Sequence, residues 1–181
     1  MSTDIYHTEH RVVHGRKVRI EWQYDQHSGE PWKECDGNGP VSEWRPKDSK
    51  KPGERELLRD GASRRFYDWE AAIKQARKEG WGLGINGFTK LMCDLRRVPT
   101  AKQVRERAVK NNYDWIKGWC NDDWHWCGIV VTDVDSGVER SLWSIESTNE
   151  HGYHEEIISD LAEEMWPDVL RVLMGGEEEA A

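Results

Sequence analysis

Phenylalanine is almost missing from this 181-residue chain, which has 2 Phe against 11 Trp. Any aromatic core must therefore be built from indole, with its large apolar area and one N–H that wants a partner. Trp left on the surface would serve as interface anchors. No apolar run approaches the roughly 18–20 residues of a membrane span, which argues against a membrane partner. The start, Met1-Ser2-Thr3-Asp4-Ile5, has neither the basic nor the apolar region of a signal peptide. Four Cys at irregular spacing fit reduced thiols in a cytosol better than a disulfide framework. Together these absences point to a cytoplasmic protein. There is no Walker-type phosphate loop and no dinucleotide fingerprint. The stretch Gly80-Trp81-Gly82-Leu83-Gly84 is glycine-rich but follows a helix, the wrong context for either. No internal repeat and no Ser-His-Asp arrangement can be read.

Basic residues are nearly lacking after Trp119. Residues 1–119 hold 24 Lys and Arg against 18 Asp and Glu, while residues 120–181 hold 2 against 16. The net charge of −8 hides this asymmetry. Such a split raises the prior for an electrostatic partner. A plainer reading is that the halves attract each other within one chain or across a homodimer. A third of the residues are charged and the mean hydropathy is −0.90, so the chain reads as soluble. A chain this long can bury about two thirds of its unfolded surface, enough for a real core.

The best-specified stretch is Trp119 to Ile145. Two β-rich runs flank the turn Asp135-Ser136-Gly137, a hairpin signal. Both of its faces are rather apolar, which places it at the centre of a sheet. A second hairpin is expected over Glu9–Tyr24, turning at His14-Gly15, with Val18, Ile20 and Trp22 or Tyr24 alternating with polar residues. Residues 25–40 read as a loop, Val41–Arg45 and Glu54–Asp60 as short strands, and Ser63–Tyr67 as ambiguous. Helices are expected over Asp68–Glu79, capped by Asp68 and stopped by Gly80, and over Phe88–Arg97. A third starts at Thr100 with a Gln103 capping box, its buried side marked by Val104, Ala108, Trp115 and Trp119. A last one covers Tyr153–Trp166, after which Pro167 ends it, kinks it or starts a further turn. Strands and helices do not alternate regularly. The expectation is an α+β fold, an antiparallel sheet with helices packed over one face. The helices of residues 88–119 and those from Tyr153 onward would cover the hairpin. A single domain over 1–174 would comprise the N-terminal hairpin and Cys35 loop (1–45), a polar connection (46–67) and the remainder (68–174). Residues 175–181 would form a disordered acidic tail.

Three surfaces could carry function. The loop with Trp32, Glu34, Cys35, Asp36 and Asn38 flanks a thiol with acids and lets the backbone approach a ligand at Gly37 and Gly39. A nucleophilic Cys needs a lowered pKa, and neighbouring carboxylates act the other way. A tight turn whose Asp and Asn satisfy backbone groups explains the same residues. The stretch Lys47, Lys50, Lys51, Arg55, Arg59, Arg64 and Arg65, with Trp44, Phe66 and Tyr67 for stacking, could bind nucleic acid. The acidic residues Glu155, Glu156, Asp160, Glu163 and Glu164, with Glu150, could instead present an anionic surface to a nucleic-acid-binding enzyme. A solvated charged face accounts for either group. Cys120, His125 and Cys127, with Cys35 or Cys93, match none of the paired Cys-x-x-Cys ligand patterns, so no metal is expected. His151-Gly152-Tyr153-His154 before Glu155 reads as the loop entering an acidic helix. No cofactor is implied.

Across the loop Glu34-Cys35-Asp36-Gly37-Asn38-Gly39-Pro40-Val41-Ser42 the chain resembles a group of small accessory proteins of tailed bacteriophages and prophages of Gram-negative bacteria. The resemblance continues through Pro52-Gly53-Glu54-Arg55, Phe66-Tyr67-Asp68-Trp69 with Ala71 and Ala72, and Trp81. It returns at Trp119-Cys120-Asn121-Asp122-Asp123-Trp124-His125-Trp126 and at Ser141-Leu142-Trp143-Ser144-Ile145-Glu146. The group has no settled activity, so the resemblance supplies a setting and no catalytic residues. It implies an intracellular phage accessory protein acting in the cytoplasm of an infected or lysogenic bacterium. Together with the Trp excess and the acidic C-terminal third, it makes a binding protein for a host macromolecule, a host protein such as a defence or nucleic-acid-processing enzyme, the leading expectation. A nucleic-acid-binding module on Lys47–Arg65 and a small enzyme using Cys35 and Asp36 are the alternatives.

Overall fold

The structure is a computed structural model and describes residues 4–149 and 152–175. The elements are β1 (Ile5–Val13), β2 (Arg16–Tyr24), α1 (Pro31–Glu34), β3 (Arg45–Pro46), β4 (Glu54–Asp60), β5 (Ser63–Asp68), α2 (Trp69–Glu79), α3 (Ile85–Leu95), α4 (Ala101–Cys120), β6 (Trp126–Asp133), β7 (Glu139–Glu146), α5 (Tyr153–Glu164) and α6 (Trp166–Leu173). This is an α+β fold with antiparallel sheets. The sequence pattern suggests one domain over 1–174, whereas the chain divides into two compact units. Residues 1–28 with 124–181 form one, and residues 29–123 form the other. The acidic tail expected after Gly175, together with Glu150 and His151, lies outside the described residues.

The first unit is a four-stranded sheet in the order β1-β2-β6-β7. The expected hairpins supply it. In β1–β2 the turn residues His14 and Gly15 both have positive φ, 49° and 80°, as a tight hairpin turn requires. β2 then pairs with β6, placing Ile20 opposite Val131 and Trp22 opposite Ile129. Directly opposed residues share a face. That face, with Val18 and Cys127, is covered by Ile157, Ile158, Leu161, Met165 and Val169 of the last two helices. Pro167 sits in the first turn of α6, where its missing N–H costs nothing, so the chain restarts as a helix. Between β6 and β7 the register slips at Gly128. The Trp143 ring lies there, and a Cβ on Gly128 would come within 2.4 Å of it.

The second unit is built on the sheet β3-β5-β4. The ambiguous stretch 63–68 is its central strand. The short strand expected at Val41–Arg45 is reduced to β3 at Arg45–Pro46, while Val41 makes one isolated bridge to Tyr67. α2 has the expected ends: Asp68 accepts from the Ala71 N–H at 2.9 Å, and Gly80 takes φ 73°. α4 has the full capping box, with Gln103 N–H donating to Thr100 Oγ1 and Thr100 N–H donating to Gln103 Oε1. Twenty residues make α4 about 30 Å long. Val109 and Ile116 pack with Leu57, Tyr67, Ala72 and Ala76. The buried stripe is therefore set partly one residue off the expected one. Ala108 is buried, but Val104, Trp115 and Trp119 are only half-buried. α4 helps build the core with β4 and β5, where the periodicity alone suggested a partner in the Trp-rich hairpin. α3 starts three residues earlier than expected and buries only Leu91.

Candidate functional site

α5 presents the acidic residues as a group. Glu155, Glu156, Asp160, Glu163 and Glu164 are all exposed. At 100° per residue they span about half of the helix surface, opposite buried Ile157, Ile158 and Leu161. Glu155 pairs with Arg11 of β1 at 2.7 Å. Next along the chain, α6 leaves Trp166, Leu170, Val172 and Leu173 exposed by 36–53%. The only buried residue of α6 is Val169. An acidic helix side is thus followed in the same unit by exposed apolar side chains. Residues 1–28 and 124–181 hold 6 Lys and Arg against 18 Asp and Glu, so the surrounding field is anionic.

In the first turn of α5 is His154, 4% exposed. Its Nδ1 accepts from the Trp22 indole N–H at 3.3 Å, and its Nε2 lies 2.8 Å from the Glu146 carbonyl. Both ring nitrogens of His154 are therefore engaged within the fold. Half-buried Arg16 holds the buried carboxylate of Asp133. Arg16 Nε donates to Asp133 Oδ2 at 2.6 Å and its Nη2 to Oδ1 at 2.9 Å. Asp133 also accepts from Ser136 N–H and Oγ at 2.8 and 2.7 Å, closing the β6–β7 turn. The Arg16 hydrogen bond, reinforced by those from Ser136 against the opposing effect of burial, holds this carboxyl far below the ordinary range. Nothing in the sequence distinguishes Asp133 from the other turn aspartates.

The Cys35 loop is a fastened turn. Asn38 Nδ2 donates to the Cys35 carbonyl at 2.9 Å. Asn112 of α4 then ties the loop down: its Oδ1 accepts from Gly39 N–H and from the Tyr67 hydroxyl, both at 2.9 Å, and its Nδ2 donates to Asn38 Oδ1 at 2.6 Å. Trp32 packs edge-on against Trp119 with ring centres 5.5 Å apart. Glu34, Cys35 and Asp36 are exposed. These bonds are what a structural turn needs. Cys127 is buried, and burial pushes the half-buried Cys120 thiol up to about 11, so neither is a nucleophile at neutral pH. Among the described residues no three His, Cys, Asp or Glu side chains are placed to hold a metal ion.

The basic stretch is split by burial. Lys47, Lys50 and Lys51 are exposed on the polar loop, but Arg64 and Arg65 are only 6% and 5% exposed. Arg65 makes a two-pronged bond to Glu30 at 3.0 and 2.9 Å, with its guanidinium 5.5 Å from the Trp32 ring and 5.2 Å from the Trp44 ring. Arg64 donates to the Gly61 and Ser63 carbonyls. Both are engaged inside the unit and cannot meet phosphates. Arg55 remains exposed, stacked 3.2 Å from the centre of the Trp69 ring.

No protein-family model, curated protein or solved structure matches the chain. Among the described residues no helix is long and apolar enough to cross a membrane.

Proposed function

We propose that the chain is a non-enzymatic binding protein of a phage or prophage that acts in the cytoplasm of the bacterial host. It engages a host protein through the acidic side of α5 and the exposed apolar side chains of α6. The observation that carries this reading is that pairing of five exposed carboxylates with Trp166, Leu170, Val172 and Leu173. Aromatic anchors beside charged residues are the composition of interface centres and rims. The complementary surface is cationic, and enzymes that process nucleic acids carry such surfaces for phosphate. Occupying one would inhibit the enzyme.

The test is affinity capture from host lysate with the full chain as bait, beside a variant in which Glu156, Asp160, Glu163 and Glu164 are all replaced by Lys. A stoichiometric partner held by the native chain, lost from the variant and weakened by salt supports the reading. Recovery of no stoichiometric partner, or equal recovery by both baits, overturns it.

A further inference from the structure

Residues 29–123 contain a second feature, independent of the acidic helix. An open groove of about 470 Å³ lies among β4, α2, α3 and α4. Its apolar lining is Leu91 and Leu95 of α3 with Trp69 of α2, and its cations are Arg55 of β4 with Arg107 and Lys110 of α4. The volume falls within the range of about 300–1,000 Å³ typical of ligand clefts. Arg107 is bonded to Asp94 at 3.2 Å and Lys110 to Asp114. Arg55 makes no ion pair among the described residues and is stacked on Trp69, with the Tyr113 ring 5.3 Å away. The charge around the groove is net positive: residues 94–114 hold six Lys and Arg against three acids, Asp94, Glu106 and Asp114. The unit as a whole holds 20 Lys and Arg against 16 Asp and Glu, opposite in sign to the rest of the chain.

The groove therefore offers a flat cationic stacking plane, an apolar lining, two further cations and one carboxylate. A planar group bearing negative charge matches the first three. The carboxylate selects among such ligands. Glu106 also lines the groove and would repel an acidic peptide, but it can accept from the exocyclic amino groups of cytosine, adenine or guanine. Bases stack on guanidinium planes as they do on aromatic rings. The opening to solvent suits a strand passing through better than an enclosed metabolite. We propose that this groove binds single-stranded nucleic acid, with a base stacked on Arg55 and the flanking phosphates met by Arg107 and Lys110.

The experiment is fluorescence anisotropy of a labelled mixed-sequence single-stranded DNA with the full chain. At 50 mM salt a Kd of about 1–100 µM is expected, the range of sequence-independent binding. Counting the charge of Arg55 with those of Arg107 and Lys110, three cations acting on a single strand give a slope of log K against log salt of about −2, a loss of about 15-fold between 50 and 200 mM. Arg55→Lys keeps the charge and removes the stacking plane, so affinity should fall about fivefold with the slope unchanged. Arg107→Ala with Lys110→Ala should reduce the slope toward −1 or less. Glu106→Ala removes the acceptor and should erase a preference for cytosine-containing over all-thymine strands. Lys47→Ala with Lys50→Ala and Lys51→Ala should change affinity by less than twofold. Circular dichroism checks that each variant is folded. The proposal is overturned by absence of binding at 200 µM protein and 50 mM salt, or by folded groove variants that bind like the native chain. It is equally overturned if the Lys47 triple variant alone abolishes binding, or if a labelled acidic peptide or free mononucleotide binds as tightly as the strand.

Discussion

Replacing Asp133 by Asn tests how the first unit is held together. Asp133 is fully buried and takes two bonds from Arg16 and two from Ser136. Asn can still accept from Ser136, but its amide N–H group would face the guanidinium, donor against donor. Removing one partner of a buried pair costs about 3–5 kcal/mol because the other charge is stranded. Arg16 keeps a side-chain exposure of 19%, so water recovers part of that, and about 3 kcal/mol is the expected loss. With a urea dependence of about 1.5 kcal/mol/M, the midpoint should fall by about 2 M. Urea unfolding followed by circular dichroism and Trp fluorescence measures it. The pH dependence supplies a second check. The carboxyl is held below its ordinary value, so its stabilisation is fully present above about pH 4 and declines as pH falls below that, where the unfolded chain takes up a proton that the folded one refuses. Asp25, whose hydrogen bonds from His27, Ser28 and Ser144 lower its carboxyl despite the opposing effect of burial, titrates in both proteins and cancels in the difference. The gap between native and variant should therefore narrow from pH 4 to pH 2. A midpoint shift under about 0.3 M, or a gap that stays constant to pH 2, would refute the account.

Three further outcomes follow from the second unit and the thiols. In Gly39→Ala the new Cβ would sit 2.2 Å from the Tyr67 hydroxyl, and Tyr67 is fully buried. The clash should break the Asn112 tie and cost about 2–4 kcal/mol, read as a lowered urea midpoint; a loss under 1 kcal/mol would show that the loop can slide. Of the four Cys, Cys35 and Cys93 are exposed, Cys127 is buried and Cys120 is shifted to about 11. A disulfide reagent at pH 8 should therefore give a fast phase of two thiols, assignable by mass spectrometry; a third fast thiol would contradict the burial of Cys120 and Cys127. The same raised thiol contributes stability present below its ordinary value near 8.5 and lost as pH rises toward 11, so Cys120→Ser should flatten any alkaline decline over that interval.

Much of the local structure was legible because it depends on neighbours in sequence. The Asp68 cap, the Gly80 stop and the Thr100–Gln103 box each need only a few adjacent residues, and all three are present. Both hairpins could likewise be read from turn chemistry and alternation. The pairing of β2 with β6 was not legible, since it joins strands separated by about a hundred residues with no local signal. Without it, the sequence places α4 over the Trp-rich hairpin, and the two cores look like one. Burial defeated the basic stretch in the same way. Arg64 and Arg65 resemble phosphate ligands in sequence, yet Arg64 turns back to the Gly61 and Ser63 carbonyls and to Glu56 across the hairpin, and Arg65 is held by Glu30, which only the fold brings near. The groove cations carried no joint signal, since Arg55 lies in β4 while Arg107 and Lys110 lie in α4 and only the fold brings them together.

That β2–β6 pairing has a consequence for how the chain assembles. The Asp25 N–H donates to the Trp126 carbonyl at 3.0 Å, so the points where the chain leaves the first sheet and returns to it are one hydrogen bond apart. Everything from Gly29 to Asp123 is a closed excursion between two adjacent strands. During synthesis the excursion is complete before β6 exists, so it can fold first. Until then β1–β2 is a lone hairpin, marginal in water and with an edge open to any other strand. A folded excursion also shortens the loop that must be closed when β6 arrives, and loop closure is the entropic cost of such a distant pairing. Slowing translation once residue 123 has left the ribosome and before β6 has should therefore favour correct assembly, and a destabilised excursion such as Gly39→Ala should show its defect first as mispaired β1–β2 hairpins.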